Sequence, residues 1–297
     1  MHNKLAIIDA DSLIYMSLAD TLEESIITLN ERINNIFIKT EVTHYVMFIS
    51  QGNYFRHQLY PEYKKSRVNR VENKWFKTLK QYLIAEYNAQ WMDKVEADDL
   101  VAYFANKDIC ASDNMFETRE MLESALELCK NDGFPEFTFE SVEKVICSPD
   151  KDILYSIADK HFNYSYKLEN KEDPNSLIKG WWVETNKKDA DSFIWKQMIM
   201  GDSADGVSGI PKLGEVAANK IIKDCDEIGL SYYEAVIRKY INHYGESQGI
   251  YEFQKNYRLL HMLDCDEDFI REIGELPQFP IISKVKEEDN INNNLEF

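Results

Sequence analysis

Residues 142–152 read VEKVICSPDKD, a strand-length apolar run that ends at once in two carboxylates, Asp150 and Asp152. The same arrangement opens the chain, where KLAIID at residues 4–9 runs into Asp11 in the string IIDADS. A third run, HYVMFIS at residues 44–50, is also of strand length. Segments with helical periodicity separate the three, and this alternation predicts an α/β fold with a mostly parallel central sheet flanked by helices. Such sheets bind ligands beyond the carboxyl ends of their strands, where Asp9, Asp150 and Asp152 are expected to emerge.

Two more acidic clusters lie further along, VEADD at 95–99 and GDSADG at 201–206. Glu96 and Asp99 are three residues apart, as are Asp202 and Asp205, a spacing that sets each pair on one helical face. With Asp98 and Asp11, the four clusters hold nine carboxylates. Like charges in a poorly hydrated site repel and raise one another's pKa, so convergence is unfavourable without divalent cations. The pattern therefore reads as a magnesium-dependent phosphoryl-transfer enzyme. Asp11 stands apart, since a carboxylate just before SLIYM is expected to cap that helix.

Composition narrows the class. At 297 residues and 44% hydrophobic content the chain can bury a substantial core. Its five cysteines form no CxxC pair and its six histidines no ligand-spaced cluster, so neither zinc nor a disulfide framework is indicated, and a reducing cytoplasm (the host's, for a viral protein) is the expected setting. No apolar stretch approaches signal-peptide or membrane-spanning length. The net charge of -18 argues superficially against nucleic acid. The distribution argues otherwise: between residues 56 and 80, Arg56, Lys64, Lys65, Arg67, Arg70, Lys74, Lys77 and Lys80 face only Glu62 and Glu72. Arg70, Lys74 and Lys77 fall at i, i+4 and i+7, one stripe of an expected helix.

From about residue 186 the chain reads as helix-rich: DADSFIWKQMIM, KLGEVAANKIIK, YYEAVIRKYINHY and IYEFQKNYRLLHML. The preceding GIPKLG (209–214) reads as a tight turn opening a helix, whose free N–H groups suit a phosphate. Residues 107–140 hold one expected helix, ETREMLESALELCK, in an excursion between core elements, and the acidic, Asn-rich tail suggests disorder.

Taken in order, IIDADS, YPEYKKSR, VEADD, SPDKD and GDSADGVSGIPKLGEVAA resemble the 5′ nuclease family over roughly residues 4 to 225. That family includes bacteriophage 5′-to-3′ exonucleases, flap endonucleases and RNase H-type enzymes, and the 5′-nuclease domain of bacterial DNA polymerase I. The resemblance implies a PIN-like catalytic core over 1–185, with an arch near 60–90, and a helix-hairpin-helix DNA-binding region over 186–297. It implies that Asp9, Glu96, Asp98, Asp150, Asp152, Asp202 and Asp205 bind two Mg²⁺ ions, or Mn²⁺ in their place, with Asp99 a ligand or its support. It further implies that Lys64 and Arg67 hold the scissile phosphate beside the catalytic Asp9, Glu96, Asp150 and Asp152. DNA contacts are implied for Arg56, Tyr63, Arg70, Lys74, Lys77, Gly209, Lys212, Gly214 and Lys220, with K⁺ at the helix-hairpin-helix. The implied partners are branched or nicked DNA, RNA/DNA hybrid and other replication proteins, and the implied state is a monomer. In one departure from the pattern, Ser50 stands where the family carries an aspartate after the second strand, which leaves a catalytically weakened junction-binding protein as an alternative. IIDADS and GDSADG alone also resemble haloacid-dehalogenase-like phosphatases, a family that does not require VEADD, YKKSR or GIPKLG.

Overall fold

The computed structural model describes residues 3–65, 73–112, 115–129, 139–171, 173 and 175–286. Arg67, Arg70 and the acidic tail from residue 287 lie outside the described residues.

Continuous apolar runs are what a parallel strand covered on both faces requires. β1 (Lys4–Asp9), β2 (His44–Phe48) and β6 (Glu143–Cys147) meet that requirement and pair in parallel, Ile8 opposite both Met47 and Cys147. Their carboxyl ends therefore align, so Asp9, Ser50 and Asp150 leave the sheet on one side. The six-stranded sheet runs β11 (Ser283–Lys284), β2, β1, β6, β7 (Asp159–Leu168) and β8 (Leu177–Thr185). β7 continues it in parallel, β8 folds back antiparallel, and β11 closes the other edge.

On one face the helix Leu22–Thr40 buries Leu29, Ile33, Ile36 and Phe37, a stripe at helical spacing. It starts at Thr21, whose hydroxyl accepts the Glu24 N–H while Glu24 accepts the Thr21 N–H. The helix Phe76–Tyr87 joins it with Leu79 and Leu83. On the opposite face the helix Ala97–Asn106 packs Leu100, Val101 and Phe104 on Ile7, Val46 and Phe48. That packing fixes the first turn of the VEADD helix against the sheet end.

The excursion carries the expected helix, at Arg119–Cys129, and also an antiparallel sheet of β3 (Ile109–Ser112), β4 (Met115–Thr118) and β5 (Glu140–Ser141). The helices Lys187–Met200, Glu215–Ile228, Tyr232–Tyr244 and Glu246–Leu260 follow, around a core that includes Met198, Val236, Tyr240 and Phe253. Close approach of the last two depends on Gly249, where a Cβ would lie 2.6 Å from the Ile241 Cα. Among the described residues no helix is long and apolar enough to cross a membrane.

Candidate active site

Each acidic cluster is held by backbone geometry specific to its element. At the end of β1, Asp9 accepts the Ser148 hydroxyl at 2.9 Å and the Asp11 N–H at 3.2 Å, and its carbonyl accepts the Tyr164 hydroxyl. After β6, Asp150 accepts the Asp152 N–H at 2.8 Å and so opens the helix Lys151–Ser156. β9 (Gly201–Asp202) pairs with β10 (Val207–Ser208), and the intervening turn carries Asp205. Asp202 accepts the Ala204 N–H at 2.8 Å within that turn. The segment 60–65 is tied to it, because the Lys64 N–H donates to the Asp205 carbonyl at 2.9 Å. Lys64 adopts φ +52°, a left-handed conformation costing of order 1 kcal/mol or more in a non-glycine residue, and this contact holds it there.

The clusters meet. Tyr63 donates its buried hydroxyl to Glu96 at 3.0 Å, and Asp205 lies 3.2 Å from the same oxygen. The Lys64 ammonium bonds Glu96 and lies 3.6 Å from Asp205. Across the site, Lys151 bonds Asp202 at 2.7 Å and lies 3.8 Å from Asp152. Asp9 feels the charges of Asp11 and Asp150, and Asp152 those of Asp150, Asp202 and Asp205.

Electrostatics divides these carboxylates into two kinds. Burial pushes the Glu96 carboxyl up, but Lys64 and then Arg56 outweigh it and hold it down at about 2. Asp202, also penalised by burial, is held low by Lys151. Asp9 is instead driven up to about 7, by burial first and then by Asp11 and Asp150. Asp152 also rises to about 7, through burial and Asp150, and Asp98 rises well above the usual range through burial and Glu96. The protein's own cations leave this second group short of positive charge. Oxygen-only donors with a charge deficit suit a hard divalent cation, so the residues present fit Mg²⁺ or Mn²⁺.

No protein-family model matches the sequence. Among solved structures, bacteriophage T5 5′-exonuclease with divalent zinc ions bound aligns at a TM-score of 0.52 and 18% identity, over 88% of this chain and 90% of that one. A variant of the same T5 enzyme aligns at 0.51 and 15% identity over 92% of each chain. A T5 protein co-crystallised with metal ions gives 0.51 and 16%, over 92% of this chain and 93% of that one.

The chain has the 5′ nuclease fold. At such identity the likeness carries architecture, so residue roles in this 5′ nuclease fold rest on the geometry above, and several expectations change. Arg56 does not face a nucleic acid. It is 2% exposed, and its guanidinium bonds both oxygens of Asp99 at 2.7 Å, Glu96 at 2.8 Å and the carbonyls of Leu259 and His261. Asp99 also accepts the Leu263 N–H at 2.9 Å, so its carboxylate supports Glu96 through the Arg56 guanidinium that the two share. Glu96 is the residue before the helix, and it and Asp99 are both buried on the side that meets Arg56. Asp202 and Asp205 lie on a strand and its turn. Tyr63, expected to contact DNA, is buried as a link between Glu96 and Asp205.

Asp11 does not cap its helix. It is the first helical residue, Ala10 holds the cap position, and its carboxylate accepts the Ser50 N–H at 3.1 Å. The Ser50 hydroxyl accepts the Ala97 N–H at 2.8 Å, anchoring the VEADD helix to the end of β2. Lys74 precedes the helix Phe76–Tyr87, with its ammonium 4.5 Å from the Trp75 ring, so it shares no helical stripe with the exposed Lys77. Gly209 is buried where a Cβ would lie 2.3 Å from the Gly201 nitrogen, which makes it a packing position and not a phosphate contact. Gly214, Lys212 and Lys220 are exposed around the start of the helix Glu215–Ile228. Lys151, between the two aspartates of SPDKD, was absent from the expected site. Its position in the motif is the one signal that marked it.

Proposed function

We propose that the protein is a metal-dependent, structure-specific 5′ nuclease that hydrolyses phosphodiesters near the 5′ end of flapped, nicked or RNA-primed duplexes during replication, as a cytoplasmic monomer. The observation that carries the reading is the convergence of Asp9, Glu96, Asp98, Asp150, Asp152, Asp202 and Asp205 at the carboxyl ends of β1, β2 and β6, with Asp9 and Asp152 short of positive charge. Those carboxylates would hold two Mg²⁺ ions, with Asp99 supporting Glu96 through their shared Arg56. When bound, the pair supplies an activated water and charge stabilisation of the attacking and leaving oxygens.

The chain's own groups do the rest. Asp9 and Asp152, with pKa values raised to about 7, release their protons as a cation binds. Tyr63 fixes Glu96 relative to Asp205. Lys64, with Arg67, positions the scissile phosphate once its bond to Glu96 is exchanged for a phosphate oxygen. The start of the helix Glu215–Ile228, with Gly214, Lys212 and Lys220, grips duplex backbone and binds K⁺, a mode of recognition that reads shape rather than base sequence. Residues 1–185 then form the catalytic core and 186–297 the DNA-binding region.

End-labelled 5′-flapped duplex, nicked duplex and RNA/DNA hybrid, each with and without magnesium, test the proposal. The expected result is magnesium-dependent release of 5′-terminal products. Phosphomonoester hydrolysis without cleavage of any of the three substrates would contradict it.

A further inference from the structure

Behind the segment that delivers Tyr63 and Lys64 lies a second pocket, of about 580 Å³, and its chemistry differs from that of the site. Its lining includes Trp195, Tyr233, Tyr251, Lys255, Arg258 and Arg271, with Leu59, and among the described residues it holds no carboxylate. On a chain of net charge -18, such a lining stands out. A cavity of about 680 Å³ shares its wall of Trp195, Tyr233 and Tyr257 but is lined by Asp152, Asp191, Asp226 and Asp264. A phosphate meets carboxylates in the larger cavity and cations in the smaller.

Each cation of the pocket is held by a carboxylate that is not part of its lining. Glu272, its side chain 1% exposed, accepts Arg258 Nε at 3.0 Å and Nη2 at 2.6 Å, and Arg271 Nε at 2.9 Å. Asp268 accepts Arg271 Nη2 at 2.6 Å and is itself largely buried. These carboxylates sit behind the arginines, so the guanidinium groups face the pocket while each head is held in a fixed plane. The Lys255 ammonium bonds Glu252 and lies 5.1 Å from the Tyr60 ring and 5.9 Å from the Tyr251 ring, joining the pocket rim to the 60–65 segment. Tyr251 is 58% exposed, and Tyr233 is half exposed.

Aromatic faces beside oriented cations are what single-stranded nucleic acid uses, bases stacking while phosphates meet guanidinium and ammonium groups. A volume of this size accommodates a nucleotide-sized ligand. We propose that this pocket binds unpaired nucleotides of a 5′ tail on the nucleic-acid substrate, a base stacking on Tyr251 and Lys255, Arg258 and Arg271 meeting its phosphates. The inference rests on the nuclease reading for the choice of duplex, and its test requires no hydrolysis.

The test measures binding by fluorescence anisotropy, in calcium, to one duplex with a 5′ oligothymidine tail, one without a tail, and one whose tail is abasic. Tyr251→Ala is expected to weaken binding of the tailed duplex about tenfold, with Tyr251→Phe retaining affinity, because stacking needs the ring and not its hydroxyl. Affinity for the untailed and abasic-tailed duplexes should not change. Lys255→Ala should weaken both tailed forms, less so at high salt, and leave the untailed one unaffected. Unchanged affinity of Tyr251→Ala for the tail, an equal loss on all three duplexes, or a Phe variant as weak as the Ala variant would each overturn the proposal. If the chain binds tails through this pocket yet cleaves nothing, the inference stands and the proposed activity fails.

Discussion

Two buried arrangements of cation and carboxylate lie side by side in this protein and behave oppositely. Around Arg56 the account is closed: a planar guanidinium meets Asp99, Glu96 and two carbonyls, and every partner is satisfied at 3.1 Å or less. A few ångströms on, among the described residues, Lys64 and Lys151 are the ammonium groups bonded to a much larger set of carboxylates, leaving Asp9 and Asp152 raised to about 7. A saturated ion pair holds structure, whereas an undersupplied cluster binds cations. The difference also separates Asp99 from Asp98, neighbours in sequence with opposite fates.

The largest effect should come from the undersupplied side. Asp152→Ala is expected to lower cleavage of a flapped duplex by roughly 10³-fold or more while sparing its binding. Wild-type turnover in that variant would remove Asp152 from the site. On the saturated side the effect should appear in stability: Arg56→Ala leaves buried carboxylates unpaired and should cost about 3–5 kcal/mol in urea unfolding. Lys151→Ala should cost less than about 1 kcal/mol, because Lys151 is half exposed and its pair is screened. Equal costs for the two variants would erase the distinction.

The strands and the helix after VEADD were legible because parallel strands buried on both faces leave long apolar runs, and β1, β2 and β6 have them. The β7–β8 hairpin was not, since NYSYK and LIKGWW mix polar with apolar residues on a sheet edge and β7 is bulged between Asn163 and Tyr166. The acidic clusters could be found by composition, and the structure gathers them. Their local geometry could not, because i, i+3 spacing is shared by a helical face and by the short turn that carries Asp205. Arg56 misled for a related reason: nothing local distinguishes a surface arginine from one buried by contacts more than two hundred residues away, at Leu259 and His261. Asp11 was misread because its partner, the Ser50 N–H, belongs to another strand end.

Proton linkage gives a subtler distinction. Asp9 and Asp152 have an ordinary value of 3.8 and rise to about 7 in the folded chain. The folded state therefore holds protons the unfolded state has lost, and without divalent ions stability should fall as pH rises through about 4 to 7. Glu96 works the other way. Its folded value of about 2 lies below the ordinary 4.5, so its contribution is complete above about 4.5 and is lost as pH falls towards 2. Thermal unfolding in chelator should show a decline from about pH 5 to pH 8 that Mn²⁺ reverses more strongly at the higher pH. A flat profile would mean that the two aspartates are not crowded. The smallest expected effect is that of Ser50→Asp, which adds a carboxylate beside Asp11 and should lower the cation concentration for half-maximal activity a few-fold. An unchanged requirement would mean that Asp11 and its neighbours already suffice.

Cation binding itself is the plainest check that these carboxylates form a metal site. In a calorimetric or paramagnetic Mn²⁺ titration of the chelator-treated protein, binding should saturate with release of protons near pH 7, be sharply weakened in Asp152→Asn and be unaffected by Lys77→Ala. Absence of saturable binding, or binding indifferent to Asp152, would contradict it.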